Sequence, residues 1–139
     1  MSLANKTGRV YRNTLRDFVE ECGLQTSDGS SSEGIDGVPV SPDFTIGRVS
    51  VFVKTQTGPG TAEDKVPYVA LNAEASVGRK GSAVIVLCGK GWTLAKKQFF
   101  TGKMTRKLGL RRVRVMSEAD FRREVVRGEV APARMQDLA

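Results

Sequence analysis

Two short segments of the chain carry side chains suited to metal-assisted hydrolysis. Asp43 follows Pro42, and Lys54 lies eleven residues later in the run VFVKTQ, residues 51–56. Residues two apart in a β-strand point to the same face, so an acid two residues before the lysine would converge with it on one metal ion and its water. Mg²⁺ prefers such oxygen ligands and neutralises charge on a phosphate. Phe52 stands where that second acid is expected.

The composition excludes several other chemistries. The chain of 139 residues has no histidine and only two cysteines, Cys22 and Cys88, without a CxxC motif. We therefore expect no zinc site, no disulfide framework and no histidine-based catalysis. A P-loop nucleotide hydrolase is excluded because no GxxxxGK[S/T] motif occurs. With 40% hydrophobic residues and no long apolar run, the sequence predicts one globular domain over residues 1–139, with no membrane span and a cytoplasmic location.

Basic residues are concentrated in one part of the chain. Residues 78–117 contain eleven Lys or Arg and no Asp or Glu, and the whole chain has a net charge of +7. Such one-sided charge indicates a polyanion partner. The alternative interpretations are a basic surface that only contacts solvent, or an RNA-associated protein. The candidate nucleic-acid-binding residues are Lys65, Arg79, Lys80, Lys90, Lys96, Lys97, Lys103 and Arg106.

Periodicity and turn residues predict the elements that position these side chains. In chain order they are a helix over 6–22, a flexible loop over 26–39, strands over 43–47 and 48–55, a helix over 65–77 capped by Asp64, a buried strand over 82–89, a helix over 93–108, a more exposed strand over 111–117, a helix over 117–128 capped by Ser117, and a tail over 129–139. This order predicts an α/β (α+β) fold with a central mixed β-sheet flanked by helices.

The segments PDFTIG, VFVKTQ, GTAEDKVPY and VIVLCGKGWT, in that order, resemble the PD-(D/E)XK nuclease superfamily. The resemblance covers roughly residues 40–100. It implies a restriction endonuclease-like fold with an αβββαβ core. It also implies a DNA endonuclease that uses Mg²⁺, or Mn²⁺ in its place, and it leaves homodimer formation open.

The resemblance also assigns roles to individual residues. Asp43 would be a metal ligand, Lys54 the catalytic lysine, and Gln56 a group that orients water or phosphate. An acid of the first helix often assists such sites, and Glu20 and Glu21 are the candidates here.

Phe52 is the departure from this pattern, because a phenyl ring cannot bind a metal ion. Three explanations stay open. The missing acid has moved to another element, with Glu21 and Glu63 as the leading metal-ligand candidates beside Glu33 and Asp36. Alternatively, the acid-x-Lys pair is Glu63 and Lys65, or the fold has lost catalysis and still binds DNA.

Overall fold

The computed structural model describes residues 3–130. The elements in chain order are α1 (Leu3–Glu21), β1 (Ser32–Glu33), β2 (Pro39–Val40), β3 (Phe44–Ile46), β4 (Val49–Thr55), a 3₁₀ turn (Ala62–Lys65), α2 (Val66–Val77), β5 (Ser82–Cys88), α3 (Leu94–Gly102), α4 (Met104–Lys107), β6 (Val113–Ser117) and α5 (Glu118–Val126).

The longest apolar run of the sequence forms β5, which lies inside a four-stranded sheet of order β3-β4-β5-β6. It pairs in parallel with β4 on one side and with β6 on the other. β3 pairs antiparallel with β4. The expected mixed sheet is therefore confirmed, and segments 43–47 and 48–55 do form neighbouring strands.

Helices cover both faces of this sheet because β5 is apolar on both. Val84, Val86 and Cys88 lie in one buried cluster, together with side chains of α1 and α5. Ala83, Ile85 and Leu87 lie in the other, under α2, α3 and α4. Each large apolar side chain buried in this way contributes about 1.5–3 kcal/mol, so packing on both faces supplies most of the fold's driving force.

Several expected boundaries differ from the structure for identifiable reasons. Asp64 does not cap α2, because it lies inside the 3₁₀ turn that precedes that helix. The helix expected over 93–108 is divided at Lys103 into α3 and α4. β6 is mostly buried rather than exposed, since only Arg114 of its five residues is exposed. Ser117 does cap α5, and its hydroxyl accepts a hydrogen bond from the Asp120 N–H.

Both segments expected to be irregular are partly ordered. The loop over 26–39 contains the β1–β2 hairpin, and its Ser27 forms a bridge with Thr45 of β3. The Ile35 N–H donates to the Asn72 side chain of α2 over 2.9 Å. In the predicted tail, Val130 is buried in the core, and residues 131–139 lie outside the described part of the chain.

The αβββαβ order is only partly matched in residues 3–130. Four strands lie between α1 and α2, but β1 and β2 form a separate two-stranded sheet, so two of the four enter the central sheet. None of the described helices is long and apolar enough to cross a lipid bilayer.

Glycines allow two loops beside the sheet to meet backbone to backbone. A side chain at Gly91 would overlap the backbone of Gly58 in the TGPG loop, residues 57–60. The Gly91 N–H donates to the Gln56 carbonyl over 2.7 Å, which fixes this approach. A methyl group at position 91 would therefore push the two loops apart.

We expect Gly91→Ala to lower the free energy of unfolding by about 1–3 kcal/mol, the cost of overpacking a close contact. Gly102→Ala is the matched control, because a side chain there meets no atom within 4 Å and lies in a helix. Because Gly102 is the last residue of α3, the change should leave the free energy of unfolding close to that of the wild type or raise it by less than about 1 kcal/mol. Urea unfolding measures both, and equal stability of the Gly91→Ala variant and the wild type would contradict the close approach.

Candidate functional site

Asp43 and Lys54 lie at the same end of the sheet. Because β3 is antiparallel to β4, Asp43 at the start of β3 lies beside the carboxyl end of β4. The ends of β4, β5 and β6 point the same way, and we call this end of the sheet, with Asp43, Lys54, Gln56, Lys90 and Ser117, the carboxyl edge. In open α/β sheets ligands bind outside the carboxyl ends of the strands.

The Asp43 carboxylate is held by backbone contacts. Its Oδ2 accepts a hydrogen bond from the Val53 N–H over 2.6 Å, while its own N–H donates to the Val51 carbonyl over 2.8 Å. Burial raises the pKa of Asp43 above its ordinary value, and the Val53 N–H and the charges of Lys54 and Arg12 offset that rise in part. The folded protein therefore carries this negative charge at a cost in stability.

Phe52 lies between the two residues of β4 that bond to Asp43. The Asp43 N–H donates to the Val51 carbonyl and the Val53 N–H donates to the Asp43 carboxylate, while the strand register itself ends at the pair of Phe44 with Val51. The ring of Phe52 is only 4% exposed and belongs to the cluster that contains Val66 and Ala70 of α2. The place expected for the second acid is therefore filled by apolar side chains.

Lys54 follows two residues later on the same face of β4 and is half-buried. Its positive charge lowers the pKa of Asp43, which shows that the two groups interact electrostatically. In the described part of the chain Lys54 forms no ion pair within 4 Å.

Gln56 is buried and joins three segments rather than facing solvent. Its Nε2 donates to the Gly91 carbonyl over 2.7 Å, and its Oε1 accepts from the Glu63 N–H over 2.9 Å. Only 5% of the residue is exposed. The side-chain amide therefore braces the loops after β4 and β5 against each other.

Glu63 is the second buried polar residue of this brace. Its carboxylate accepts hydrogen bonds from the Thr93 N–H over 2.9 Å and from the Thr93 hydroxyl over 2.8 Å, at the start of α3. The Lys96 ammonium lies 3.6 Å from Oε1. The two bonds from Thr93, with the charge of Lys96, hold the pKa of Glu63 below its usual range.

The two acids of α1 proposed for a metal site lie at the end of that helix. Glu21 is exposed at the end of α1, and Glu20 interacts with Arg16 and Thr26. Among residues 3–130, no three His, Cys, Asp or Glu side chains converge in a group that could hold a metal ion. One carboxylate beside a phenyl ring and a lysine is a poor donor set for Mg²⁺, which needs several oxygen ligands in a near-octahedral arrangement.

The basic residues are divided between the two ends of the sheet. Lys65, Lys90, Lys96 and Lys97 lie in the turns and first helical residues that follow the strands at the carboxyl edge. Arg79, Lys80 and Arg111 precede β5 and β6 at the opposite end, and Lys103 and Arg106 lie between or within the helices that lead there. Lys96 is also paired with Asp64 over 2.8 Å.

Three charged residues at or near the carboxyl edge were missed by sequence reasoning. Glu118 and Arg122 form an ion pair of 3.0 Å on α5, and Arg122 stacks over the Phe18 ring at 4.7 Å. Their i,i+4 spacing was a visible signal for this pair. Arg12 is close enough to lower the pKa of Asp43, and only the packing of α1 reveals that.

No protein-family model, curated protein or solved structure matches this chain.

The fold raises the pKa of Asp43 and lowers that of Glu63, so neutralising each of them should change stability in opposite directions as the pH varies. Raising the folded-state pKa of Asp43 costs stability as pH rises through and above the ordinary value of about 3.9. We expect Asp43→Asn, measured with EDTA by thermal unfolding, to be more stable than the wild type at neutral pH. That gain should vanish in acid, where both side chains are neutral.

Glu63→Gln is the companion variant with the reverse sign. A lowered folded-state pKa adds stability above the ordinary value, and this stability is lost as pH falls through the lowered pKa. The variant should be less stable than the wild type at neutral pH, with the difference closing in acid. Parallel pH profiles for both variants would contradict the assigned environments.

Phe52→Glu tests whether the buried position of Phe52 on β4 accepts a carboxylate. Burial of a charge under α2, together with lost ring packing, should cost at least about 3 kcal/mol of unfolding free energy. Phe52→Leu, which keeps the site apolar, should cost about 1 kcal/mol. Chemical denaturation separates the two, and a Phe52→Glu protein as stable as the Leu variant would show that the position is open to solvent.

Proposed function

We propose that this chain is a DNA-binding protein with a restriction endonuclease-like fold, in which the metal-dependent cleavage site is reduced to Asp43 and Lys54. The fold assignment is supported by an antiparallel strand pair that carries the Pro-Asp and Lys-x-Gln segments. A parallel crossover through α2 follows, with α1 on the other face of the sheet. Asp43 and Lys54 both lie at one end of the central sheet, which supports this assignment.

The observation that carries DNA binding is the set of cations at the carboxyl edge. Lys54, Lys90 and Lys97 form no ion pair within the described residues. Lys90 is exposed, and the other two are half-exposed. Unpaired cations at the carboxyl edge attract phosphates and gain affinity from counterion release.

Loss of cleavage is the part of the proposal supported by Phe52, Gln56 and Glu63. Phe52 fills the position expected for a metal-binding acid with a buried ring. The polar side-chain atoms of Gln56 and Glu63 form hydrogen bonds inside the fold. Gln56 and Glu63 join the loops after β4 and β5, and among residues 3–130 no three His, Cys, Asp or Glu side chains form a group that could hold a metal ion.

A Mg²⁺-dependent or Mn²⁺-dependent endonuclease is the second candidate, favoured by the effect of the Lys54 charge on the pKa of Asp43. Incubation with supercoiled plasmid in Mg²⁺, in Mn²⁺ and in EDTA distinguishes the two. Under our proposal, wild type and Asp43→Ala give the same low background of nicking in all three. Nicking that requires the metal and disappears in both Asp43→Ala and Lys54→Ala would establish the endonuclease instead.

Binding to duplex DNA should depend steeply on salt. If about six phosphates are engaged, affinity should fall roughly 10³-fold between 50 and 200 mM salt. Removing two contacts with Lys90→Ala/Lys97→Ala should lower the slope of log affinity against log salt by about 1.8. Fluorescence anisotropy with a labelled duplex measures this slope.

Lys80→Ala/Arg111→Ala is the matched control, because it removes the same charge at the opposite end of the sheet. Its slope should equal that of the wild type. If both double variants lower the slope of log affinity against log salt by the same amount, DNA does not bind preferentially at the carboxyl edge, and the proposed interface is wrong.

A further inference from the structure

The central sheet has one protected edge and one open edge. At the β3 edge, Ser27 continues the ladder through two hydrogen bonds with Thr45, of 3.0 and 2.8 Å. At the other edge, β6 pairs with β5 and with no further strand of residues 3–130. An edge strand left unprotected is a template for pairing with another chain. In the described part of the chain, β6 is therefore where the central sheet can be extended.

The backbone groups of Val113 and Val115 point away from the sheet. The Ala83 N–H donates to the Arg112 carbonyl over 2.7 Å, which directs the peptide groups of Arg112 and Arg114 toward β5. Successive residues of a strand direct their N–H and C=O groups to opposite sides, so those of Val113 and Val115 face outward. Within residues 3–130, no backbone group outside the sheet hydrogen-bonds to them.

A groove of about 400 Å³ lies over this open edge, with residues of α3 and α4 on one side and of α5 on the other. Its charged lining is balanced, with three arginines and three acids in a chain whose net charge is +7. These residues are Arg114, Asp120, Arg123, Glu124, Arg127 and Glu129. A neutral face does not attract a polyanion such as DNA. It is instead a face at which two copies of a basic protein can approach with little repulsion.

Both signs of charge are presented on this face. Arg114 is paired with Glu124 over 2.9 Å. Arg127 and Glu129 form no ion pair within 4 Å among residues 3–130, so one cation and one acid remain for a partner. A face that carries both signs is able to complement itself across a two-fold axis, as an isologous interface requires.

We propose that β6 pairs antiparallel with β6 of a second copy of this chain, so that the two four-stranded sheets become continuous. A two-fold axis at Val115 brings the Val115 N–H of each copy to the Val115 carbonyl of the other. It also places Arg114 opposite Met116 of the second copy. An axis at Arg114 would instead place two guanidinium side chains directly opposite each other, which is unfavourable.

This pairing is separate from the proposed DNA binding. Because the two β6 strands run in opposite directions, the two carboxyl edges face opposite ways and are not part of the interface. Loss of dimerisation would therefore leave DNA binding at each carboxyl edge in place, and failure of DNA binding would leave the dimer.

Two measurements on the wild type test the proposal. In sedimentation velocity between about 5 and about 500 µM, the mass should rise from that of one chain to that of two by mass action. Amide hydrogen exchange followed by NMR at the same two concentrations identifies the strand. The outward Val115 amide should exchange roughly tenfold more slowly at the higher concentration, whereas the Arg114 amide, which faces β5, should change little.

Val115→Pro removes the outward N–H and leaves the groups that face β5 in place, and proline is tolerated on edge strands. The dimer should weaken at least roughly tenfold, because one hydrogen bond is lost from each copy. Val115→Ala is the matched control, since it also shortens the side chain but keeps the N–H, and its dimer should stay within roughly threefold of the wild type. Circular dichroism checks that both variants are folded.

Three results would overturn the proposal. The first is a wild type that keeps the mass of one chain at the highest concentration. The second is a folded Val115→Pro variant that dimerises as tightly as Val115→Ala, since another surface would then hold the dimer. If Val115→Pro does not fold, the exchange data decide, because a wild-type Val115 amide that exchanges equally at both concentrations rules out pairing through β6.

Discussion

Burial of β5 on both faces is the constraint on which the remaining structure depends. A strand that is apolar on both sides must be covered twice, so α1 and α5 pack on one face and α2, α3 and α4 on the other. Its parallel neighbours β4 and β6 then require crossover connections that return the chain to the same starting end. The strand ends therefore meet at a single carboxyl edge, where Asp43, Lys54 and Lys90 are assembled.

A small polar brace fixes the geometry of that edge. Gln56 joins the ends of β4 and β5, and Glu63 attaches the start of α3 to the 3₁₀ turn. Buried polar groups of this kind stabilise a fold only when their hydrogen bonds are satisfied, and both residues meet that condition. The consequence for chemistry is direct, because side chains used for this purpose are not free to bind a metal ion or a substrate.

The charge at the carboxyl edge depends on which side chains already have partners within the fold. Acids there are compensated by Thr93, Lys96 and Arg122, whereas Lys54 and Lys90 have no ion-pair partner among residues 3–130. Asp43 is the exception, since burial of its charge costs stability. The Val53 N–H and the charges of Lys54 and Arg12 offset this cost only in part. A group that is unfavourable for the fold and placed at a strand end is a reasonable candidate for function.

Local sequence was sufficient for features that depend on a few neighbouring residues. The apolar run of β5, the alternation of β4 and the Ser117 cap of α5 all gave the correct element, because each signal is complete within about seven residues. Longer-range contacts explain the failures. The sequence pattern predicts an exposed β6, but α3 and α5 cover this strand. Val130 was predicted to lie in a tail, but its side chain is buried in the core.

At the candidate site, the sequence by itself determined the residue types: an acid, a lysine two positions beyond a phenylalanine, and a basic segment without acids. Only the tertiary structure decided which of them meet. It bonded Asp43 to Val51 and Val53 on either side of Phe52, used Gln56 and Glu63 within the brace, and separated Lys90 from Lys80 by the length of β5. The physical reason is that charge and hydrogen-bonding capacity are properties of a residue, whereas proximity and burial are set by segments far apart in the chain.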